Sequence, residues 1–218
     1  MKKDFWLERW HRGEIGFHQD EINPYLIEYW KQLNLASNSA VFVPLCGKSR
    51  DMLWLREQGY PVLGVELSAI AVQAFFKESG YEPQHARTGK FDRCEANGIR
   101  ILCGDFLDLR KDDLANVGAV YDRASLIALP PDMREKYARH LKDILPPGTQ
   151  ILLVTVDYPQ AEMQGPPFSV SSSEVELLYK KYAEVRLVAQ LDVLAKNPRF
   201  RERGLSRLIE NIFLLTLH

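Results

Sequence analysis

Ala40-Val41-Phe42-Val43-Pro44-Leu45-Cys46-Gly47-Lys48-Ser49-Arg50-Asp51 is the stretch that decides the fold. Ala40 to Leu45 reads as a buried strand, followed by a loop containing one glycine and a helix from about Arg50 to Gln58. A short, continuously apolar strand is one buried on both faces, as in a parallel sheet covered by helices. Downstream the pattern repeats. Pro61–Glu66 reads as a second strand, followed by a helix over Ala69–Ser79. Strands are expected at Ile99–Cys103, Gly118–Asp122 and Gln150–Val156. Asp132 with Glu135, and Ser173 with Glu176, have capping-box spacing for two further helices. The tail offers strands near Val185–Val193 and Ile209–Leu217 with no clear helix between them, which predicts an antiparallel C-terminal hairpin. The expected architecture is α/β, a doubly wound, mostly parallel seven-stranded sheet with helices on both faces.

Upstream, Asp4 is placed to cap a helix that carries Trp6 and Trp10 on one face, and Gly13 to end it. Asn23-Pro24 reads as a cap followed by proline in the first helical position. Residues 1–33 thus form an expected helical cap over a core spanning 40–218, within a single 218-residue domain.

Composition excludes several classes. There are 28 basic and 29 acidic residues, giving a net charge of -1, and no global basic excess recommends nucleic acid as a partner. No apolar run approaches the roughly 20 residues that span a bilayer. Met1–Trp10 lacks a signal-peptide core, so a cytoplasmic location is expected. Cys46, Cys94 and Cys103 form no CxxC pair, and the five histidines form neither HxxxH nor HExxH, so no metal is expected. A monomer is the default.

Doubly wound sheets bind ligands at the carboxyl ends of their strands. The first such loop holds Gly47-Lys48-Ser49. It is neither GxGxxG nor a complete phosphate loop, which disfavours a nicotinamide dehydrogenase. Two readings stand for it: a ligand loop, or a tight turn with Ser49 capping the helix. Glu66 ends the second strand 19 positions after Gly47, the place from which a carboxylate accepts ribose hydroxyls. Gly104-Asp105-Phe106 offers an acid and an aromatic face that suit an adenine, or equally a helix start. Asp122-Arg123 is either a buried structural lock or an arginine aimed at a ligand anion.

Taken together, these residues resemble the thiopurine S-methyltransferase family of class I S-adenosylmethionine-dependent methyltransferases, in its bacterial form. The resemblance covers essentially the whole chain. It is carried by Trp6-Leu7-Glu8-Arg9-Trp10, Gly16-Phe17-His18-Gln19, Val43-Pro44-Leu45-Cys46-Gly47-Lys48, Gly64-Val65-Glu66-Leu67-Ser68, Tyr121-Asp122-Arg123, Gly165-Pro166-Pro167-Phe168 and Leu214-Leu215-Thr216. It implies S-adenosylmethionine as cofactor, S-adenosylhomocysteine as product and a small-molecule thiol as acceptor. Trp6, Trp10, Leu45, Gly47, Glu66, Asp105, Phe106 and Arg123 are then expected at the cofactor. Phe17, Phe168 and Arg199 are expected at the acceptor, with Arg123 and Arg199 favouring its thiolate. No side chain is assigned as general base. Two alternatives stay open: selenium or tellurium species as acceptors, and a non-catalytic nucleotide-binding module.

Overall fold

A computed structural model describes residues 3–36 and 38–218. Residues 1 and 2 of the expected cap lie outside the described residues. Two helices, α1 (Lys3–Arg12) and α2 (Pro24–Tyr29), precede strand β1 (Ala40–Val43), α3 (Asp51–Glu57), β2 (Val62–Glu66) and α4 (Ala69–Glu78). Then come β3 (Gln84–Thr88), β4 (Phe91–Ala96), β5 (Ile99–Cys103), β6 (Val117–Arg123) and α5 (Pro131–Ile144). The chain closes with β7 (Gln150–Asp157), α6 (Ser172–Tyr179), β8 (Ala183–Asp192), α7 (Pro198–Glu202) and β9 (Ile209–Leu217).

All nine strands join one sheet, in the order β3-β4-β5-β2-β1-β6-β7-β9-β8. The five inner strands, β5 to β7, are parallel, and β8 and β9 form the expected antiparallel hairpin. β3 and β4 enlarge the expected seven strands to nine, pairing antiparallel on the edge of β5. β3 is exposed along its whole length, so it carries no alternating apolar signal. The readable clue is Asn97-Gly98 before Ile99. Both residues have positive φ, 50° and 78°, as the two-residue hairpin turn between β4 and β5 requires.

The apolar runs are explained by two cores. On one face Phe42, Leu63 and Val120 pack with Tyr137 and Leu141 of α5 and Val175 and Tyr179 of α6. On the other, Val41, Val43 and Ile101 pack with Met52 and Leu55 of α3 and Phe75 and Phe76 of α4. Adjacent residues of β1 therefore serve opposite cores, and neither set can be polar. Each fully buried Phe or Leu contributes about 1.5–3 kcal/mol.

Three helix starts differ from expectation. α1 begins at Lys3, so Asp4 sits in its first turn, where a carboxylate favours the helix dipole. α5 begins with Pro131 and has no side-chain cap, because proline already holds the helical φ; Asp132 lies in the first turn. α6 is capped by Ser171, whose Oγ accepts from Glu174 N at 3.2 Å. Ser173 instead meets Ser171 Oγ at 2.9 Å. Asn23 caps α2 as expected, accepting from Tyr25 N at 3.0 Å. Among the described residues no helix is long and apolar enough to cross a membrane.

Candidate active site

The five parallel strands deliver their loops to one end of the sheet, and hydrogen bonds tie several of them together there. Leu45 has φ 45° and Gly47 φ 53°, which turns the chain sharply after β1. Cys46 N then donates to Val65 O at 3.0 Å. Ser125 Oγ, after β6, donates to Pro44 O at 2.6 Å, and Ala124 beside it has φ 66°. Two non-glycine residues at positive φ in one site are a local cost of about 1–3 kcal/mol each, met by the surrounding packing.

Glu66 is 6% exposed, and both of its oxygens are engaged. One accepts from Gly47 N at 2.9 Å and the other from Ser68 N at 2.8 Å. Burial pushes its carboxyl upward, against the pull of the Ser68 and Gly47 amides. Each carboxylate oxygen keeps a further lone pair for a hydroxyl donor. Lys48 does not point to a phosphate role, since its Nζ is held by Glu78 at 2.7 and 2.9 Å. Ser49 does not cap α3 as expected: the cap position is Arg50, without a side-chain cap, and Ser49 Oγ accepts only from Asp51 N at 3.3 Å.

The Asp122-Arg123 pair divides across the sheet. Asp122 turns into the core, accepting from Tyr137 OH at 2.6 Å and Leu126 N at 3.2 Å. Arg123, the last residue of β6, turns the other way and is half-buried. Among the described residues no hydrogen bond or ion pair involves its guanidinium. The structural-lock alternative therefore fails on strand alternation.

Burial pushes the Asp122 carboxyl from 3.8 up to about 6, even with those hydrogen bonds. A native-state value above the unfolded one means that this group's stabilising contribution is full below pH 4 and is lost as pH rises through 6. Relative to Asp122→Asn, wild-type stability should fall by roughly 3 kcal/mol across that window. Urea unfolding of both proteins at several pH values checks this; parallel curves would contradict it.

Above the strand tips lies the N-terminal segment. Trp6 and Trp10 flank Phe17, with ring centroids 5.5 and 5.7 Å away in edge-to-face geometry. Each such pair is worth about 0.5–1.5 kcal/mol beyond burial. A Cβ on Gly47 would sit 3.2 Å from Trp10 Cζ2, so glycine lets the indole lie on the β1 loop. Several polar contacts fasten the segment, among them Arg50 donating to Asp20 O at 2.7 Å and Tyr25 OH donating to Glu210 at 2.6 Å. Lys3 Nζ pairs with Asp105 at 2.5 Å, which holds the lysine charged to higher pH than usual. Arg199 donates to Gly16 O at 2.8 Å. Asp51 accepts from Asn23 N at 2.8 Å and from Tyr121 OH at 3.0 Å.

Between segment and strand tips is a cavity of about 1160 Å³. Trp6, Trp10, Phe17, Leu45, Gly47, Glu66, Asp105, Phe106, Arg123 and Arg199 all line it. Phe168 does not. Its ring lies below Gly165 and 5.9 Å from the Arg134 guanidinium, and Gly165, Pro166 and Pro167 form that part of the wall instead. Asp105 also spends one oxygen on Leu107 N, at 2.9 Å. Phe106 is 5% exposed and stacks on Tyr137 at 4.8 Å, so it is floor more than free face. Sequence reasoning gave no site role to Lys3, Tyr121, Phe200 or Arg203, which also line the cavity. Only the topology brings them there.

The site suits a nucleoside sulfonium. A glycine turn leaves backbone room, a buried carboxylate offers acceptors, and an uncommitted guanidinium shares the cavity with aromatic rings. Arg9 lies over the Phe5 ring at 4.8 Å, and its buried Nε has no hydrogen-bond partner among the described residues.

Comparison with known proteins agrees with this chemistry. The family model for thiopurine S-methyltransferase matches residues 1–218. A thiopurine S-methyltransferase of Nitrosospira multiformis is 65% identical over 215 residues, covering 99% of this chain and 98% of that protein. One from Pseudomonas fluorescens strain SBW25 is 46% identical over 217 residues, covering 100% of both. Among solved structures, an S-adenosylmethionine-dependent methyltransferase from Anabaena variabilis superposes with a TM-score of 0.65 at 12% identity, covering 99% of this chain and 95% of that one. A 1,6-didemethyltoxoflavin-N1-methyltransferase from Burkholderia thailandensis, solved with S-adenosylhomocysteine, gives 0.65 at 16%, covering 99% and 86%. The structural likenesses establish the class I methyltransferase fold.

Proposed function

The chain belongs to the thiopurine S-methyltransferase family, and on that premise we propose that it methylates the sulfur of small aromatic or heterocyclic thiols. The observation that carries this reading is one cavity lined by Glu66, Gly47, Trp6, Trp10, Phe17 and Arg123, whose guanidinium has no hydrogen bond or ion pair among the described residues. Bound S-adenosylmethionine supplies an electrophilic methyl group on a cationic sulfur and leaves as S-adenosylhomocysteine.

The residues divide the work. Glu66 takes ribose hydroxyls on its remaining lone pairs, and Asp105 and Phe106 border the adenine. Leu45, Gly47 and Trp10 hold the sulfonium side, where an aromatic face favours a cation by about 0.5–2 kcal/mol. Phe17, Arg199 and the Pro166-Pro167 wall border the acceptor, with Pro167 in the place expected of Phe168. Arg123 favours a thiolate over a thiol, since a nearby cation stabilises the ionised form. Residues 1–33 act as a lid that excludes water and fixes alignment, over a catalytic core of 40–218.

A labelled-methyl assay on mercaptopurine, thiophenol and phenol tests this reading. Label should pass to both thiols and not to the phenol, whose oxygen is a harder, more basic nucleophile. Transfer to none of the three would overturn it.

A further inference from the structure

Phe17 and His18 stand side by side in the lid, and only Phe17 has so far been given a task. The His18 side chain is 11% exposed and lines the same cavity. Its Nε2 lies 3.5 Å from Asp20 Oδ1, and the Asp20 side chain is 93% exposed. Among the described residues no hydrogen bond reaches its Nδ1. A sheltered imidazole thus has one nitrogen beside a carboxylate at the mouth and the other uncommitted. At 3.5 Å the His18–Asp20 pair is a charge contact and not a hydrogen bond; the carboxylate favours the tautomer that carries its proton on Nε2 and leaves Nδ1 as a proton acceptor.

The charged groups around it come from four places. Asp20 belongs to the same loop, Lys48 to the loop after β1, Glu78 to the end of α4 and Arg123 to the end of β6. Lys48 is itself held by Glu78 at 2.7 Å. Burial, then Lys48 and Arg123, lower the imidazole's affinity for a proton, and outweigh Asp20 and Glu78. These surroundings favour the neutral imidazole, the form able to accept a proton.

We propose that His18, backed by Asp20, is the general base that removes the S–H proton of the acceptor. The proposal rests on the thiol-acceptor reading above. The S–H bond breaks and its proton moves to Nδ1. The electron pair left on the acceptor sulfur forms the new S–CH3 bond, while the methyl–sulfonium bond breaks and its pair remains on S-adenosylhomocysteine. Asp20 stabilises the imidazolium, which then passes its proton to water at the exposed carboxylate.

Two readouts test this. First, mercaptopurine is mixed with protein and S-adenosylhomocysteine, and its absorption, which differs between neutral and ionised forms, is followed against pH. Relative to wild type, His18→Gln should move the ionisation midpoint of the bound acceptor about 1 pH unit higher, leaving it less ionised at neutral pH. Second, initial rates are compared for a thiol that is protonated at the assay pH and one that is ionised. His18→Gln should lower the ratio of the two rates about 100-fold, and Asp20→Asn roughly 10-fold. A general loss of folded protein cancels in that ratio. An unchanged ionisation curve, or equal losses on both thiols, would overturn the base while leaving the thiol reading intact. Absence of transfer to either thiol by wild type would overturn both.

Discussion

Arg123→Ala lowers kcat/KM for a thiol acceptor about 100- to 1000-fold and leaves the melting temperature within about 2 °C of wild type. The two halves of this expectation have separate grounds. The guanidinium ends β6 inside the cavity with no protein partner among the described residues, so its removal orphans no carboxylate. Asp122 beside it keeps Tyr137 and Leu126, and the neighbouring turn keeps the Ser125 bond to Pro44. What is lost is the positive charge that favours a thiolate in a water-poor site, where removing one stabilising donor costs about 3–4 kcal/mol. Arg123→Lys should recover little, because an ammonium on a flexible stem does not reproduce the planar fork. Steady-state kinetics with thermal unfolding checks both halves. Unfolding of Arg123→Ala, or full activity from it, contradicts the role given to this residue.

The second large effect falls on binding. Glu66→Ala should weaken S-adenosylhomocysteine binding about 100-fold, equivalent to about 2.7 kcal/mol. The carboxylate holds Gly47 N and Ser68 N while facing the cavity, so its loss removes ribose acceptors and frees the β1 turn together. Glu66→Gln keeps the shape but presents an amide N–H to one of those two backbone donors. A loss of about 10-fold is expected there, from one mismatched hydrogen bond. Calorimetric titration of both variants measures this, and unchanged affinity in Glu66→Ala removes the ribose assignment.

Much of the fold was legible because burial on both faces leaves no freedom in residue type. Val41-Phe42-Val43 and Gln150–Val156 had to be apolar throughout, and their rhythm with the helices gave the parallel sheet. β3 was not legible, because an exposed edge strand satisfies no periodic demand. Two helix starts were misplaced by two residues, one where a proline opened the helix and one where an earlier serine capped it. At the site, Glu66 and Gly47 announced themselves by spacing, and the lid aromatics through family resemblance. The direction of Arg123 did not, since the pattern Asp122-Arg123 fits a lock as well as a strand whose neighbours point apart. Phe168 failed for a related reason: Pro166-Pro167 turns the chain so that the prolines meet the cavity and the ring meets Arg134. Contacts such as Lys3 with Asp105, or Arg199 with Gly16, join residues 102 and 183 positions apart, and no local pattern encodes them.

Calorimetric titration of the wild-type chain with S-adenosylhomocysteine is the most direct test of whether these strand tips and the aromatic lid form a cofactor site. Saturable binding of one equivalent, with measurable heat, is the predicted result. No heat at ligand concentrations up to about 1 mM, where even a site worth only about 4 kcal/mol would be half filled, is the result that would contradict it.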